Sequence, residues 1–351
     1  MFKRIIFSFL VILVIGFTFV SCDSDKGNSA SIETSKERAI PLTLENFGSE
    51  AMQVTIDITR EGTDDSKLKY SVDGEEAKEV TSKTTVISLP AGKTVSLYDD
   101  RTSTDHNSTH YEIMCDAECY VYGNIMSLIN STDFKDLTSL ENYAYVFDLL
   151  FYENTNIKNH PTKALVLPAT KLAEGCYNHM FERCTGLTRA PELPAKELAT
   201  GCYSSMFVGC SGLKEAPELP ATQLEESCYY HMFQDCTSLE KAPKLPAKEL
   251  KGGCYMQMFD SCTSLTEAPV LPAKTLVSLC YYSMFSECSN LSSVTCLATD
   301  IAVGATTPTE DWLLGVASSG TFIKSADAAP DFWATNSTDG VPNGWVVENN
   351  K

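Results

Sequence analysis

The nine-residue pattern Cys-Tyr-x-x-Met-Phe-x-x-Cys begins at Cys176, Cys202, Cys228, Cys254 and Cys280, each 26 residues after the last. A chain written this way does not close a core around one unit. Each unit covers its apolar flank by stacking on the next, so the product is a long ordered surface rather than one catalytic pocket. Within Cys176 to Leu187 the apolar residues fall at i, i+1, i+4, i+5, i+8 and i+11, which reads as one helical face. The segment Ala190-Pro191-Glu192-Leu193-Pro194-Ala195 is too rich in proline for a helix and reads as extended. Pro191, Pro217, Pro243 and Pro269 occupy equivalent places and cannot donate to a neighbouring rung, so the strands there should be short and the parallel sheet ragged.

A divergent copy precedes the five. Leu150-Phe151-x-x-Asn154-x-x-Ile157 matches Met-Phe-x-x-Cys-x-x-Leu, and four extra residues are placed within Lys158 to Lys163. It reads as a capping unit, because terminal repeats face different neighbours. Beyond Cys288 the pattern decays, and Trp312, Trp333 and Trp345 are expected to seal the last unit.

Ahead of the repeats, residues 40–122 read as a small β-sandwich. Met52 to Ile58 and Leu68 to Val72 alternate, and Thr85 to Leu89 and Thr94 to Tyr98 flank the turn Pro90-Ala91-Gly92-Lys93. Residues 123–144 read as a helical connector. The repeats occupy 145–301 and an aromatic C-terminal cap 302–351. The fold class expected is α+β: the sandwich, then a leucine-rich-repeat solenoid of short helical arcs and short parallel strands, then the cap.

At the start of the chain, Lys3 and Arg4 precede the apolar run Ile5 to Val20, which marks residues 1–21 as a signal peptide. Phe19-Val20-Ser21-Cys22 resembles a bacterial lipobox, whose cysteine is acylated and becomes the new N-terminus. An ordinary secretory signal is the alternative. Residues 22–39 are small and polar, a flexible tether. The acidic stretch from Asp23 resembles the surface-export signals of Bacteroidota lipoproteins, which implies an outer-membrane lipoprotein exposed at the cell surface, with palmitate on Cys22 as the sole membrane contact. The periplasmic face is the alternative. The formal net charge is −19, and loss of Lys3 and Arg4 makes the mature chain more acidic, which argues against nucleic acid as a partner.

The repeats resemble those of BspA-like leucine-rich-repeat surface lipoproteins, and Cys119 to Ile129 resembles the leader domain of that group. The resemblance implies adhesion or protein interaction without a shared ligand. The function expected is therefore a non-catalytic adhesion or protein-interaction module whose partner is a host or neighbouring-cell surface protein or glycan. The alternative is a glycan-capturing lipoprotein with its sugar site on the β-domain and the repeats as spacer.

No nucleophile elbow, phosphate loop, zinc-protease helix or paired-carboxylate pocket occurs, so no enzyme, cofactor or metal is expected. On a helix Cys176 and Cys184 would lie about 12 Å apart. A disulfide requires Cα atoms within about 7 Å, and the repeat cysteines read as buried, unpaired packers. Cys115 and Cys119 bracket the short acidic turn Asp116-Ala117-Glu118 and are a candidate disulfide, with two free thiols as the alternative. His106 and His110, beside Asp105 and Glu112, read as a solvated loop rather than a metal cluster, and His179 and His231 as variable surface positions. The variable positions flanking the extended segments form a candidate partner-binding stripe: Arg189, Glu192, Glu215, Glu218, Lys241, Lys244 and Glu267. Tyr230 and Tyr282 are added as stacking surfaces. A solvated face is the alternative.

Overall fold

The computed structural model describes residues 36–60, 67–101, 109–335 and 338–350. The signal peptide, Cys22, Asp105 and His106 lie outside the described residues, as does all of the tether before Lys36. Contacts divide the chain into Met1–Lys36 and Glu37–Lys351, and the strands, turns and rungs all belong to the second unit.

Alternating side chains build eight strands first: β1 (Thr43–Glu45), β2 (Met52–Arg60), β3 (Lys69–Val72), β4 (Lys78–Glu79), β5 (Thr84–Leu89), β6 (Thr94–Tyr98), β7 (Thr109–Cys115) and β8 (Cys119–Asn124). Strand β2 buries Met52, Val54, Ile56 and Ile58, every second residue, as a half-covered strand must. One antiparallel sheet runs β5–β2–β7; the other runs β4–β3–β6–β1–β8. Residues 123–144 hold two 3₁₀ turns, Ile125–Leu128 and Phe134–Asp136. The hydroxyl of Ser127 donates to Leu97 O (2.8 Å) and accepts from Leu42 N (3.0 Å), which fixes the first turn against β6.

Strand β8 leads into the repeats. Strands β9 (Ile157–Asn159) and β10 (Leu165–Val166), both from the divergent copy, pair parallel with it. Asn154 stands where later copies carry the second cysteine, and its amide donates to Ile113 O on β7 (2.8 Å). The copy lacks that cysteine because a side chain with a polar reach is needed to dock the neighbouring sheet.

The repeats are not the leucine-rich-repeat solenoid that the resemblance implied. Among the described residues of 145–301 there is no helix, so the helical arcs are absent. Between the first three regular copies the parallel strands are reduced to single bridges such as Arg189↔Glu215 and Glu215↔Lys241. The fold is β-rich, with irregular sheets and essentially no helix.

The backbone hydrogen bonds supply the reason. In 175–184 the odd residues send their N–H groups to the following rung: Tyr177 N to Cys202 O (3.0 Å), His179 N to Ser204 O (3.0 Å), Phe181 N to Met206 O (2.9 Å). The even residues close turns within their own rung, as in Asn178 N to Gly175 O (3.0 Å) and Glu182 N to His179 O (3.1 Å). Every amide is thus satisfied without the i→i−4 ladder of an α-helix. The backbone turns left-handed every fourth residue, at Gly175 (φ 56°), His179 (φ 51°) and Arg183 (φ 58°). The apolar period is therefore 4, not 3.6, and a helix would carry a four-residue repeat about 40° further round its axis at each step. The same turns occur in the divergent copy, in all five regular copies and in 307–315, where Thr307, Asp311 and Gly315 are left-handed.

This arrangement reverses the usual effect of glycine. In a helix, Gly209→Ala would stabilise by about 1 kcal/mol. At φ 68° it is expected to destabilise by about that much, and Asp235→Gly (φ 59°) to stabilise, both read from denaturation midpoints. A gain from Gly209→Ala would show that the turns are misplaced.

Turning this way stacks like on like. Phe151, Phe181, Phe207, Phe233, Phe259 and Phe285 form one column with ring centroids 5.5–5.7 Å apart. Phe147 and the tyrosines 177, 203, 229, 255 and 281 form a second at 5.7–6.0 Å. These are offset stacks, the geometry the ring quadrupole favours. The second cysteine of each copy donates its S–H to the phenylalanine carbonyl of the preceding rung, as Cys236 Sγ does to Phe207 O (3.2 Å). At the far end Trp312 lies on Tyr281 (6.4 Å) and Trp333 lies on Trp312 (5.3 Å). All three indole N–H groups reach carbonyls: those of Gly340, Ala298 and Ala317. Strand β11 (Thr275–Leu276) pairs with β13 (Asp300–Ile301), and β12 (Ser293–Cys296), β14 (Thr321–Lys324) and β15 (Val346–Asn349) make a parallel sheet beyond the last copy.

Candidate functional site

The stripe residues sit on the bridged segments. Arg189, Glu215 and Lys241 face one another through consecutive parallel bridges, and Glu267 pairs with Ser293. All seven charged members, including Glu192, Glu218 and Lys244, are exposed. The Arg189 guanidinium turns to His160 O (3.3 Å). Tyr230 and Tyr282 do not join this line. They stand on the turn arc, half-buried, beside the left-handed residues His231 and Ser283, and the Tyr230 ring lies 3.7 Å from the His231 ring.

The arc carries a denser polar group, at positions that the sequence presents as variable surface. His110 lies on β7 rather than in a loop, and its Nδ1 is 3.9 Å from Asp148 Oδ2 on the first rung. Asn178 donates to the other oxygen of Asp148 (3.1 Å), and His179 contacts Glu182. Two rungs on, His231 Nε2 meets Gln257 Oε1 (2.8 Å), and Asp260 accepts from Gln234 (3.1 Å) and Gln257 (3.3 Å). Burial pushes the carboxyls of Asp148 and Asp260 above the usual range and the His231 imidazole below it. The sequence signal for this grouping was its place in the repeat: positions 178, 179 and 182 fall between the repeated apolar residues and so face outward on a helix and on the turned backbone alike.

The chemistry open to this band is limited. Ser205 occupies the left-handed position between His179 and His231, yet among the described residues no hydrogen bond joins it to either ring. A nucleophile and its base must stand within such reach. Among the described residues no group of three or more His, Cys, Asp or Glu side chains is placed to hold a metal ion. A groove of about 500 Å³ opens near β11, lined by Lys248, Glu249, Leu250, Lys274, Val277 and Leu297 among others. Its lining includes neither histidine nor cysteine.

The repeat cysteines are free and buried. Burial pushes the thiols of Cys176, Cys228, Cys280 and Cys288 up to about 12, so they are protonated packers at neutral pH. Cys115 and Cys119 are free and buried as well, but their sulfurs stand 2.9 Å apart.

A second cluster lies on the β-domain. Phe47, 40% exposed, stacks on Tyr120 (4.1 Å), and His160 meets Tyr120 and Tyr122 edge-on (5.0 and 5.1 Å). Lys163 binds Glu45 (3.0 Å) and lies over the Tyr122 ring (4.0 Å). The bonds to Lys163 and Tyr122 outweigh burial and hold the Glu45 carboxyl below its usual range.

No protein-family model matches the chain, and neither a curated protein nor a solved structure is similar to it. The resemblance to BspA-like leucine-rich-repeat lipoproteins is overturned by the helix-free rungs.

Proposed function

We propose that the chain is a non-catalytic structural lipoprotein of the bacterial outer membrane, tethered through acyl chains on Cys22 and exposed at the cell surface. Adhesion through leucine-rich repeats, and glycan capture with those repeats as spacer, both required an architecture that the chain does not have, and neither reading is retained. The observation that carries the present one is where the repeated chemistry goes. In all five regular copies the Cys, Tyr, Met, Phe and Cys of the motif are at most 2% exposed. What the chain writes five times is therefore an interior. The varying charged residues from Arg189 to Glu267 are exposed, and Asn178, Tyr230 and Tyr282 are half-buried at its edge. A chain that repeats core residues and varies its surface is organised to hold a form rather than to turn over a substrate.

The tether rests on the lipobox-like Phe19-Val20-Ser21-Cys22 and the polar stretch after it. Stable anchoring takes more than one acyl chain, since each buried CH₂ contributes about 0.8 kcal/mol. Palmitate labelling of cells is expected to mark the wild-type chain. Cys22→Ser is expected to abolish the label and move the protein out of the membrane fraction. An unlabelled wild-type chain, or a labelled Cys22→Ser variant, would defeat the tether.

A further inference from the structure

We propose that Cys115 and Cys119 form an intramolecular disulfide, a covalent staple between β7 and β8 at the point where both sheets meet the first rung. Their sulfurs are 2.9 Å apart, nearer than two unbonded sulfurs rest and about 0.9 Å beyond a disulfide bond of about 2.05 Å. Among the described residues no other two cysteines are joined by a sulfur–sulfur hydrogen bond. The second-column thiols turn instead to phenylalanine carbonyls across rungs, as Cys210 does to Phe181 O (3.0 Å).

The two backbones are held by contacts that owe nothing to the sulfurs. Cys115 pairs with Val54 across β2, and its carbonyl accepts from Asn156 Nδ2 (2.6 Å). Cys119 lies opposite Ile157 on β9, and its N–H donates to Asn156 O (3.1 Å). One asparagine thus positions both ends. The intervening turn is fixed separately, by Asp116 Oδ1 accepting from Gln53 N (2.7 Å). Closing the bond requires the sulfurs to approach by about 0.9 Å.

The chemistry is thiol–disulfide exchange with an external disulfide, either a dithiol oxidoreductase or a low-molecular-weight disulfide, of the kind an oxidising envelope supplies. One cysteine sulfur attacks the donor disulfide and releases one donor thiol, leaving a mixed disulfide. The second cysteine sulfur displaces the other donor thiol. Two electrons pass to the donor, and its two released thiols carry away the two protons. In the folded chain the contact with Cys115, together with burial, holds the Cys119 proton in place. Closure therefore belongs to folding, before the sheets cover the pair. The occurrence of the bond in cells rests on the export part of the function proposed above.

The full chain, produced in a reducing cytosol and refolded in a glutathione redox buffer, is denatured with iodoacetamide, with and without prior reduction. The tryptic peptide 102–135 contains both cysteines and no others. Without reduction it is expected unalkylated and lighter by two hydrogens. With reduction it is expected doubly alkylated. Double alkylation without reduction overturns the proposal. Because this test uses purified protein, it stands even if cells do not export the chain. Reducing the refolded protein in denaturant and refolding it without oxidant should lower Tm by about 3 °C, the scale of a short-loop crosslink in a unit of this size. The Cys115→Ser/Cys119→Ser variant should show no such drop. Equal drops in both proteins would overturn the stapling role.

Discussion

Phe233→Ala is expected to lower the stability of the chain by about 3–5 kcal/mol, read as a shift of the denaturant midpoint with the slope unchanged. Phe233 is fully buried in the middle of its column, 5.7 Å from Phe207 and 5.6 Å from Phe259, with rings inclined by 1° and 10°. Removing the ring withdraws contact from both neighbours at once, and each offset pair is worth about 0.5–1.5 kcal/mol beyond the area it buries. The backbone beside it cannot collapse into the gap. The Phe233 carbonyl accepts from Cys236 N (3.1 Å) within the rung and from Cys262 Sγ (3.1 Å) on the next. Phe233→Leu, which keeps most of the apolar volume but not the stacking, should cost less than half as much. A loss below about 1 kcal/mol for the alanine variant would mean that the columns are not packed as described.

Gly123→Ala is the second large effect, at about 3 kcal/mol or more, and it acts on the backbone rather than the core. Gly123 closes β8 at φ 90°, and an added Cβ would stand 2.0 Å from Pro41 O. That carbonyl belongs to a segment that runs alongside β8: Pro41 bridges Asn124, and Asn124 N donates to Ile40 O (2.7 Å). Neither strand can yield, because β8 is held on its other side by β9 and β10. Gly92→Ala provides the control. Gly92 has a similar φ of 70° in its turn but nothing within 4 Å of the added atom, so only the left-handed strain of about 1 kcal/mol remains. Equal losses in the two variants, measured by thermal denaturation, would show that the contact with Pro41 is not the cause.

How much of this was legible depends on what each pattern encodes. Alternation along 52–58 locates β2 because a half-covered strand has only one solution to burying every second side chain. The 26-residue period locates the rungs for an equally simple reason. What the period builds was not legible from apolar positions alone. Residues at i, i+4 and i+8 suit a helix almost as well as a ribbon of turns, and the difference lies in the residues between them. Gly175, Gly201, Gly209 and Gly253 stand at left-handed positions, as do short polar residues such as Ser205, Asp235 and Ser261. Those residues favour a left-handed backbone or tolerate it at modest cost, whereas a helix disfavours them. The polar band was not legible for a different reason: Asp148 meets Asn178 across two rungs, 30 residues apart in sequence, and local pattern does not carry such a contact. The partners of His110 and Asn154 lie across the junction between the β-domain and the first rung, and local pattern carries no trace of that contact.

Because the donors of one rung always meet the acceptors of the next at the same offset, the five regular copies are interchangeable at their joints. Excising 26 consecutive residues from within them brings together two surfaces already shaped for each other, and the sequence can lengthen or shorten by whole copies without inventing a new contact. The two flanking units have no such freedom: Asn154 docks on β7, and Trp312 on a stack closed by Trp333 and Phe322. Variation in length is therefore open to the regular copies and closed to the two units that flank them.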